Sequence, residues 1–270
     1  MYVTELDWNR FFALAVLRRG FDFRLYRPHQ LRRRIISFME LRNLHSLPEL
    51  WSYLNNDDDK YIDFLSKLSI NVSEFFRDVE RWKQLQDKIL PEILLESPEI
   101  QAWSVGCSYG AEVYSLAMIL EAHFPGKHSI LGTDISSSVL EQAREGIFSS
   151  EDLQHLPQKY KETYFKHKDE KWTILPKLKQ NVQFVSKDVF AEEYEKKFHL
   201  IICRNLAIYL TREAQYKLHQ ILYHALMPGG YLFIGSTERV AKSEEIGFEN
   251  TMPFFYKKPT QEATSCKNVS

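Results

Sequence analysis

Residues 101–120 read QAWSVGCSYGAEVYSLAMIL: an apolar run, a turn with glycines at positions 106 and 110, and then a helical pattern. Glycine at the carboxyl end of a strand lets a ligand lie against the backbone where a Cβ would collide, so Gly106 and Gly110 mark a candidate ligand loop. The spacing is G-x-x-x-G. It lacks the G-x-G-x-x-G of dinucleotide binders, and no Gly-Lys-Ser/Thr follows to make a phosphate loop.

Outward from this stretch the chain alternates strand and helix. Apolar runs predict strands at 100–105, 129–133, 182–185, 198–203 and 230–235, with helices at 111–123, 136–145 and 212–226. Such alternation predicts a largely parallel sheet covered on both faces. Lysines, an Asp-Glu turn and the pair Trp172 and Ile174 interrupt the rhythm over 164–178, which reads as an inserted hairpin. A helix is expected over 79–90, closed by Pro91. The first 70 residues predict a small helical bundle. Thr4 caps a helix that Gly20 ends, a second helix runs from Pro28 to Arg42, and two shorter ones cover 47–54 and 57–68. Residues 261–270 read as a flexible tail.

The 270 residues suffice for one large and one small domain, with 44% hydrophobic and 26% charged residues. A net charge of −1 lacks the basic excess of a nucleic-acid binder. Cys107, Cys203 and Cys266 form no CxxC pair and suggest neither disulfides nor a metal site, which fits a cytoplasmic protein. The opening MYVTELDWNR has charge where a leader needs an apolar run, and no stretch nears the roughly 18 apolar residues of a membrane span.

Three acidic residues follow strand ends or open the helix after them. Glu112 lies in the first helical turn, where it can serve the helix dipole or meet the ammonium of an amino-acid-like ligand. Asp134 closes the second strand and can accept from both hydroxyls of a ribose, or else cap the next helix, a task open also to Ser136. Asp188 ends the third strand, where it can touch an adenine edge. Together they point to a nucleoside ligand.

Five strings then resemble the CheR-type chemoreceptor glutamate methyltransferases: NVSEFFRD (71–78), GCSYGAEVYS (106–115), GTDIS (132–136), CRNLAIYL (203–210) and MPGGYLFIGSTE (227–238). The resemblance runs from about residue 5 to residue 258. It implies an α/β fold: a seven-stranded, mostly parallel Rossmann-like methyltransferase sheet in residues 71–260, with a helical domain in residues 1–70 and a short β-subdomain inserted near 164–181. It implies S-adenosylmethionine as cofactor, contacted by Asn71, Ser73, Arg77, Glu112, Asp134, Asp188, Val189, Arg204 and Asn205. It places Arg77 and Tyr209 near the transferred methyl. The implied partner is a chemoreceptor or receptor-like protein with an acidic helical methylation region, met by a monomeric enzyme that enters no membrane.

Several positions depart from the family pattern. Ser73 stands for Thr, Tyr109-Gly110-Ala111-Glu112-Val113 for Thr-Gly-Glu-Glu-Pro, and Asp188 for Asn. The late Gly-His-Ser-Glu becomes Gly235-Ser236-Thr237-Glu238. The stretch Phe165–Ile174 lacks the glycine loop with which relatives dock on a receptor's terminal pentapeptide, so direct rather than tethered acceptor binding is expected.

The implied reaction asks little of the protein. A glutamate with a pKa of about 4.3 is ionised at neutral pH and needs no general base. Alignment remains, and the Arg77 fork suits a carboxylate while Tyr209 offers a hydroxyl and an aromatic wall. Arg32, Arg33 and Arg34 form a basic run that can attract an acidic substrate helix. The same fold acting on a small-molecule acceptor, or kept as a silent cofactor-binding protein, are the competing expectations.

Overall fold

A computed structural model describes residues 3–68, 73–191 and 197–260 of the chain. The expected boundary at 70/71 and the expected tail at 261–270 lie outside the described residues.

The N-terminal bundle holds α1 (Glu5–Arg19), α2 (Pro28–Leu41), α3 (Leu47–Asn55) and α4 (Asp58–Leu68). Thr4 and Asp7 form a capping box on α1, with the Asp7 N–H donating to Thr4 Oγ1 at 3.2 Å and the Thr4 N–H to Asp7 Oδ2 at 3.0 Å. Gly20 ends the helix at φ 69°. Its core is aromatic, with Phe11, Phe12, Phe23, Phe38 and Phe64 all buried.

The next helix differs from expectation. It runs on through Pro91 as α5 (Val79–Gln84), a π-helical turn (Leu85–Ile89) and α6 (Leu90–Glu96). A proline inside an α-helix lacks one N–H and crowds the carbonyl four residues back; the wider π turn directly before Pro91 relieves both.

Beyond it come β1 (Gln101–Val105), α7 (Ala111–His123), β2 (Ser129–Asp134), α8 (Ser137–Glu145) and β3 (Ile147–Phe148). They are followed by α9 (Gln158–Tyr164), β4 (Phe165–Lys168), β5 (Lys171–Ile174), α10 (Pro176–Lys179) and β6 (Val182–Ser186). The chain closes with β7 (Phe198–Cys203), α11 (Arg212–Ala225), β8 (Leu226–Ile234), α12 (Ser243–Ile246), β9 (Glu249–Met252) and β10 (Phe255–Lys257). Seven strands form one sheet in the order β6-β2-β1-β7-β8-β10-β9, parallel except for β10, which runs antiparallel to both neighbours. The polar β9 and the short β10 were not expected from the residue pattern. The inserted unit is a separate sheet, β3-β5-β4, whose hairpin turns at Asp169 and Glu170.

Side chains of β1 alternate between the two faces. Ala102 joins the core under α6 and α7, while Trp103 and Val105 join the core under α11. Strand order reverses between β1 and β7, and a crevice opens there outside the carboxyl ends of the strands.

The bundle closes over that crevice from two sides. Ser66 of α4 meets Ser138 of α8, Oγ to Oγ, at 3.0 Å, and Ile135 packs against the bundle core. On the other side Tyr26 and Leu210 form an antiparallel bridge. The Arg27 N–H donates to the Tyr209 carbonyl at 2.9 Å and the Thr211 N–H to the Leu25 carbonyl at 2.9 Å. No helix among the described residues is long and apolar enough to cross a membrane.

Candidate active site

The crevice widens into a cavity of about 360 Å³. One wall comes from the strand ends: Gly106 and Ser108 after β1, Asp134 and Ile135 at β2, Asp188 and Val189 after β6, Arg204 and Asn205 after β7. Arg77 and Tyr209 border the same space. The opposite wall belongs to the N-terminal bundle, with Phe21, Phe23, Tyr26, Leu31 and Arg34.

Asp134 is aimed by two backbone donors. Its Oδ2 accepts from the Ser108 N–H at 2.9 Å and its Oδ1 from the Ser136 N–H at 3.0 Å. Ser136 occupies the N-cap position of α8, so Asp134 is left facing the cavity. Ser108 adopts φ 50°, a costly conformation for a side-chain-bearing residue, and its buried Oγ has no partner among the described residues. Asp188 is held at Oδ1 by the Phe190 N–H at 2.9 Å. Burial raises the carboxyl pKa of both Asp134 and Asp188 above the ordinary aspartate value. A ligand that donates to both must therefore lose affinity on acidification sooner than it would with free aspartates, whose pKa is about 3.9. The affinity for adenosine should fall as the pH is lowered from neutral toward the aspartate range, with the loss setting in above about pH 3.9, and Asp134→Asn should flatten that slope. A pH-independent affinity would contradict the assignment.

The loop after β7 is shaped from beneath by Glu238, a carboxylate only 5% exposed. Its Oε2 accepts from the N–H groups of Asn205 at 2.8 Å and Gly235 at 2.9 Å, and its Oε1 accepts from the Ala207 N–H at 2.9 Å. Asn205 can then sit at φ 60°, and the chain turns so that Tyr209 reaches the cavity. Arg204, before it, is buried. It donates to the Arg77 carbonyl at 3.0 Å, pairs with Asp78, lies 3.5 Å from Glu112 and rests 4.9 Å over the Phe233 ring.

Arg77 is placed by its neighbours. Phe75 packs against Phe148 and Phe165, and Phe76 against Trp82 and Tyr160. Phe76 and Asp78 both take left-handed backbone angles, φ 52° and 61°, and the Phe76 N–H donates to Ser115 Oγ at 3.0 Å. Two anchored aromatics and two sharp turns thus present the side chain between them to the cavity. Burial raises the Tyr209 phenol pKa, while Arg34 and Arg77 act on it in the opposite sense. Two guanidinium groups and one neutral hydroxyl thus border the same cavity.

Other expected residues fall elsewhere. Gly110 is absent from the cavity wall. It caps α7 at φ 86°, and a Cβ there would come within 2.9 Å of Phe184 Cζ and 3.0 Å of Ala143 Cβ, so packing of helix on sheet requires this glycine. Glu112 is also behind the wall, accepting from Ser104 Oγ at 2.7 Å beside Arg204, with burial raising its pKa. Ser73 offers its carbonyl to the Tyr109 hydroxyl and does not border the cavity. Asn71 lies outside the described residues.

The arginine run is divided, because successive residues on a helix point about 100° apart: Arg32 and Arg33 line one surface recess and Arg34 another space. Arg32 is tied to Glu5 and lies 5.3 Å over Trp8, Arg33 is exposed, and only Arg34 turns to the cavity, where it also donates to the Leu68 carbonyl. Tyr26, Ser108 and the clamping role of Glu238 were not anticipated. Ser108 and Glu238 carried a signal, their places in the strings 106–115 and 227–238; Tyr26 carried none.

Comparison with known proteins gives a consistent set. Residues 71–253 match the family described as CheR methyltransferase, SAM binding domain, where SAM is S-adenosylmethionine. Residues 6–69 match the CheR methyltransferase, all-alpha domain. A chemotaxis protein methyltransferase of Listeria monocytogenes is 35% identical over 94% of this chain and 98% of its own length. One from Borreliella burgdorferi is 30% identical over 95% of each chain, and chemotaxis protein methyltransferase 2 of Vibrio cholerae is 27% identical over 90% of this chain and 89% of its own.

Proposed function

Because the chain belongs to the CheR methyltransferase family, with S-adenosylmethionine as its cofactor, we propose that it methylates glutamate side chains of a chemoreceptor or receptor-like signalling protein. The product is a glutamyl methyl ester. The observation that carries this reading is that Arg34, Arg77 and Tyr209 border the same cavity as Asp134 and Asp188.

The wall fits the cofactor. Asp134 and Asp188 supply acceptors for ribose hydroxyls and an exocyclic amine, and Ser108 Oγ and Arg204 Nε are buried donors without partners among the described residues. Gly106 adds a place where the backbone can be approached: the nearest atom to a Cβ there would be Leu206 Cδ2, at 3.6 Å. When bound, the cofactor supplies an activated methyl group and its own leaving group. The chain's residues then have three tasks. Arg77 and Arg34 hold the acceptor carboxylate in orientation through charge-assisted hydrogen bonds. Tyr209, a phenol that is neutral at neutral pH and kept further from ionisation by burial, contributes a hydroxyl without competing as a nucleophile. The bundle wall of Phe21, Phe23 and Leu31 keeps water from the reacting oxygen. No side chain has to remove a proton, since the acceptor is already ionised.

The acceptor we propose is an acidic helical segment that docks along α2 and places its carboxylate between Arg34 and Arg77. Exposed Arg33 contributes long-range attraction, and Arg32, held by Glu5, mainly packs. The β4–β5 connection supports untethered docking: only Asp169 and Glu170, at φ 49° and 62°, join the strands, which leaves no extended loop. We place this reaction in the cytoplasm, carried out by a monomer.

The test is incubation with methyl-labelled cofactor and a receptor signalling domain, with or without the receptor's C-terminal tail. Label should enter both forms at the same rate. Label found only in small molecules would sink the proposal, and dependence on the tail would remove the untethered part.

A further inference from the structure

We infer that Tyr26, a residue of the N-terminal bundle, contacts the cofactor's adenosine and donates to it a hydrogen bond that neither Asp134 nor Asp188 can give. The inference rests on reading the cavity as the cofactor's.

The argument begins with hydrogen-bond complementarity. An ionised carboxylate only accepts, so Asp134 and Asp188 answer a nucleoside's donors, the ribose hydroxyls and the exocyclic amine. The ring nitrogens and ribose oxygens are acceptors and need donors from the protein. Tyr26 borders the cavity, and among the described residues its hydroxyl makes no hydrogen bond. A tyrosine hydroxyl turned inward ordinarily finds a partner. Tyr26 lines the same cavity as Asp134 and Asp188, and burial, then the charges of those two residues, hold its phenol pKa above the ordinary value. The Tyr26 side chain thus shares a cavity with the two carboxylates assigned to the nucleoside.

Its placement is firm. The Tyr26 N–H donates to the Phe23 carbonyl at 3.1 Å, the ring lies 5.7 Å from Phe21, and the bridge to Leu210 fixes the backbone against the Tyr209 loop. One short segment of the bundle therefore serves both ends of the reaction. Tyr26 reaches the adenosine side, while the next residue's N–H holds the Tyr209 carbonyl at 2.9 Å. On this view the cofactor site is incomplete without the N-terminal bundle.

The test is calorimetric titration of S-adenosylhomocysteine and of 5′-methylthioadenosine into full-length wild-type protein and Tyr26→Phe, which keeps the ring and removes the hydroxyl. Both ligands carry the adenosine, so both should lose affinity by a similar factor, about five- to tenfold. The melting temperature of the unliganded variant should match wild type. In turnover, KM for the cofactor should rise while KM for the acceptor and kcat hold. Equal affinities in variant and wild type would overturn the inference and leave the cavity's assignment standing. A loss confined to S-adenosylhomocysteine would also overturn it, since the contact would then lie on the amino-acid part. A wild-type protein that binds neither ligand would overturn the assignment of the cavity and this inference together.

Discussion

Arg77→Ala should fold like the parent and lose turnover by about 10²-fold or more, the scale expected when a reacting group is misplaced by an ångström. Folding should survive because the anchors of this segment are elsewhere: Phe75 and Phe76 in the core, Ser115 on the Phe76 N–H, and Arg204 on the residue-77 carbonyl. The side chain itself faces the cavity. Most of the loss should appear in kcat, with a smaller loss of cofactor affinity. Arg77→Lys restores the charge but not the planar fork and should recover little of the rate. Stopped-assay turnover alongside thermal melting checks both halves. Turnover within a few-fold of wild type would remove Arg77 from its assigned role.

The second large effect is expected at Glu238, which touches no part of the cavity. Glu238→Ala would leave the N–H groups of Asn205, Ala207 and Gly235 without their acceptor. Each buried donor left unpaired costs about 1–3 kcal/mol, so a stability loss of about 3 kcal/mol or more is expected in denaturant unfolding. Glu238→Gln is the sharper variant. One amide oxygen can still serve Asn205 and Gly235, but the amide nitrogen then faces the Ala207 N–H, donor against donor. This variant should stay folded at 25 °C and lose cofactor affinity, because Asn205 and Tyr209 ride on the loop. Wild-type stability in Glu238→Ala, or wild-type affinity in Glu238→Gln, would show that the clamp is dispensable.

The sequence made some of this legible and hid the rest for identifiable reasons. Gly106, Asp134 and Asp188 could be found because each follows a strand whose apolar run is plain, and strand ends at a reversal of strand order form the crevice. Gly110 and Glu112 share the same turn yet face away. Phe184 and Ala143 impose the glycine, and Arg204 and Ser104 claim the carboxylate, from segments that no local pattern could have joined to the turn. The arginine run divides because adjacent helical residues point about 100° apart: Arg32 and Arg33 line one surface recess, while Arg34 borders the cavity. Tyr26 was invisible because its placement beside the cavity depends on a two-residue bridge between distant segments. β9 and β10 were missed because four polar-rich and three aromatic-basic residues carry no period long enough to read.

The most direct measurement is the chemistry of the transferred methyl. Receptor signalling domain labelled by this protein should carry its label on glutamate residues of a helical segment, and mild base should release that label as methanol, as an ester requires. Label that survives base, or that resides on nitrogen-bearing side chains, would contradict the account, because Arg34, Arg77 and Tyr209 would then be facing a different nucleophile.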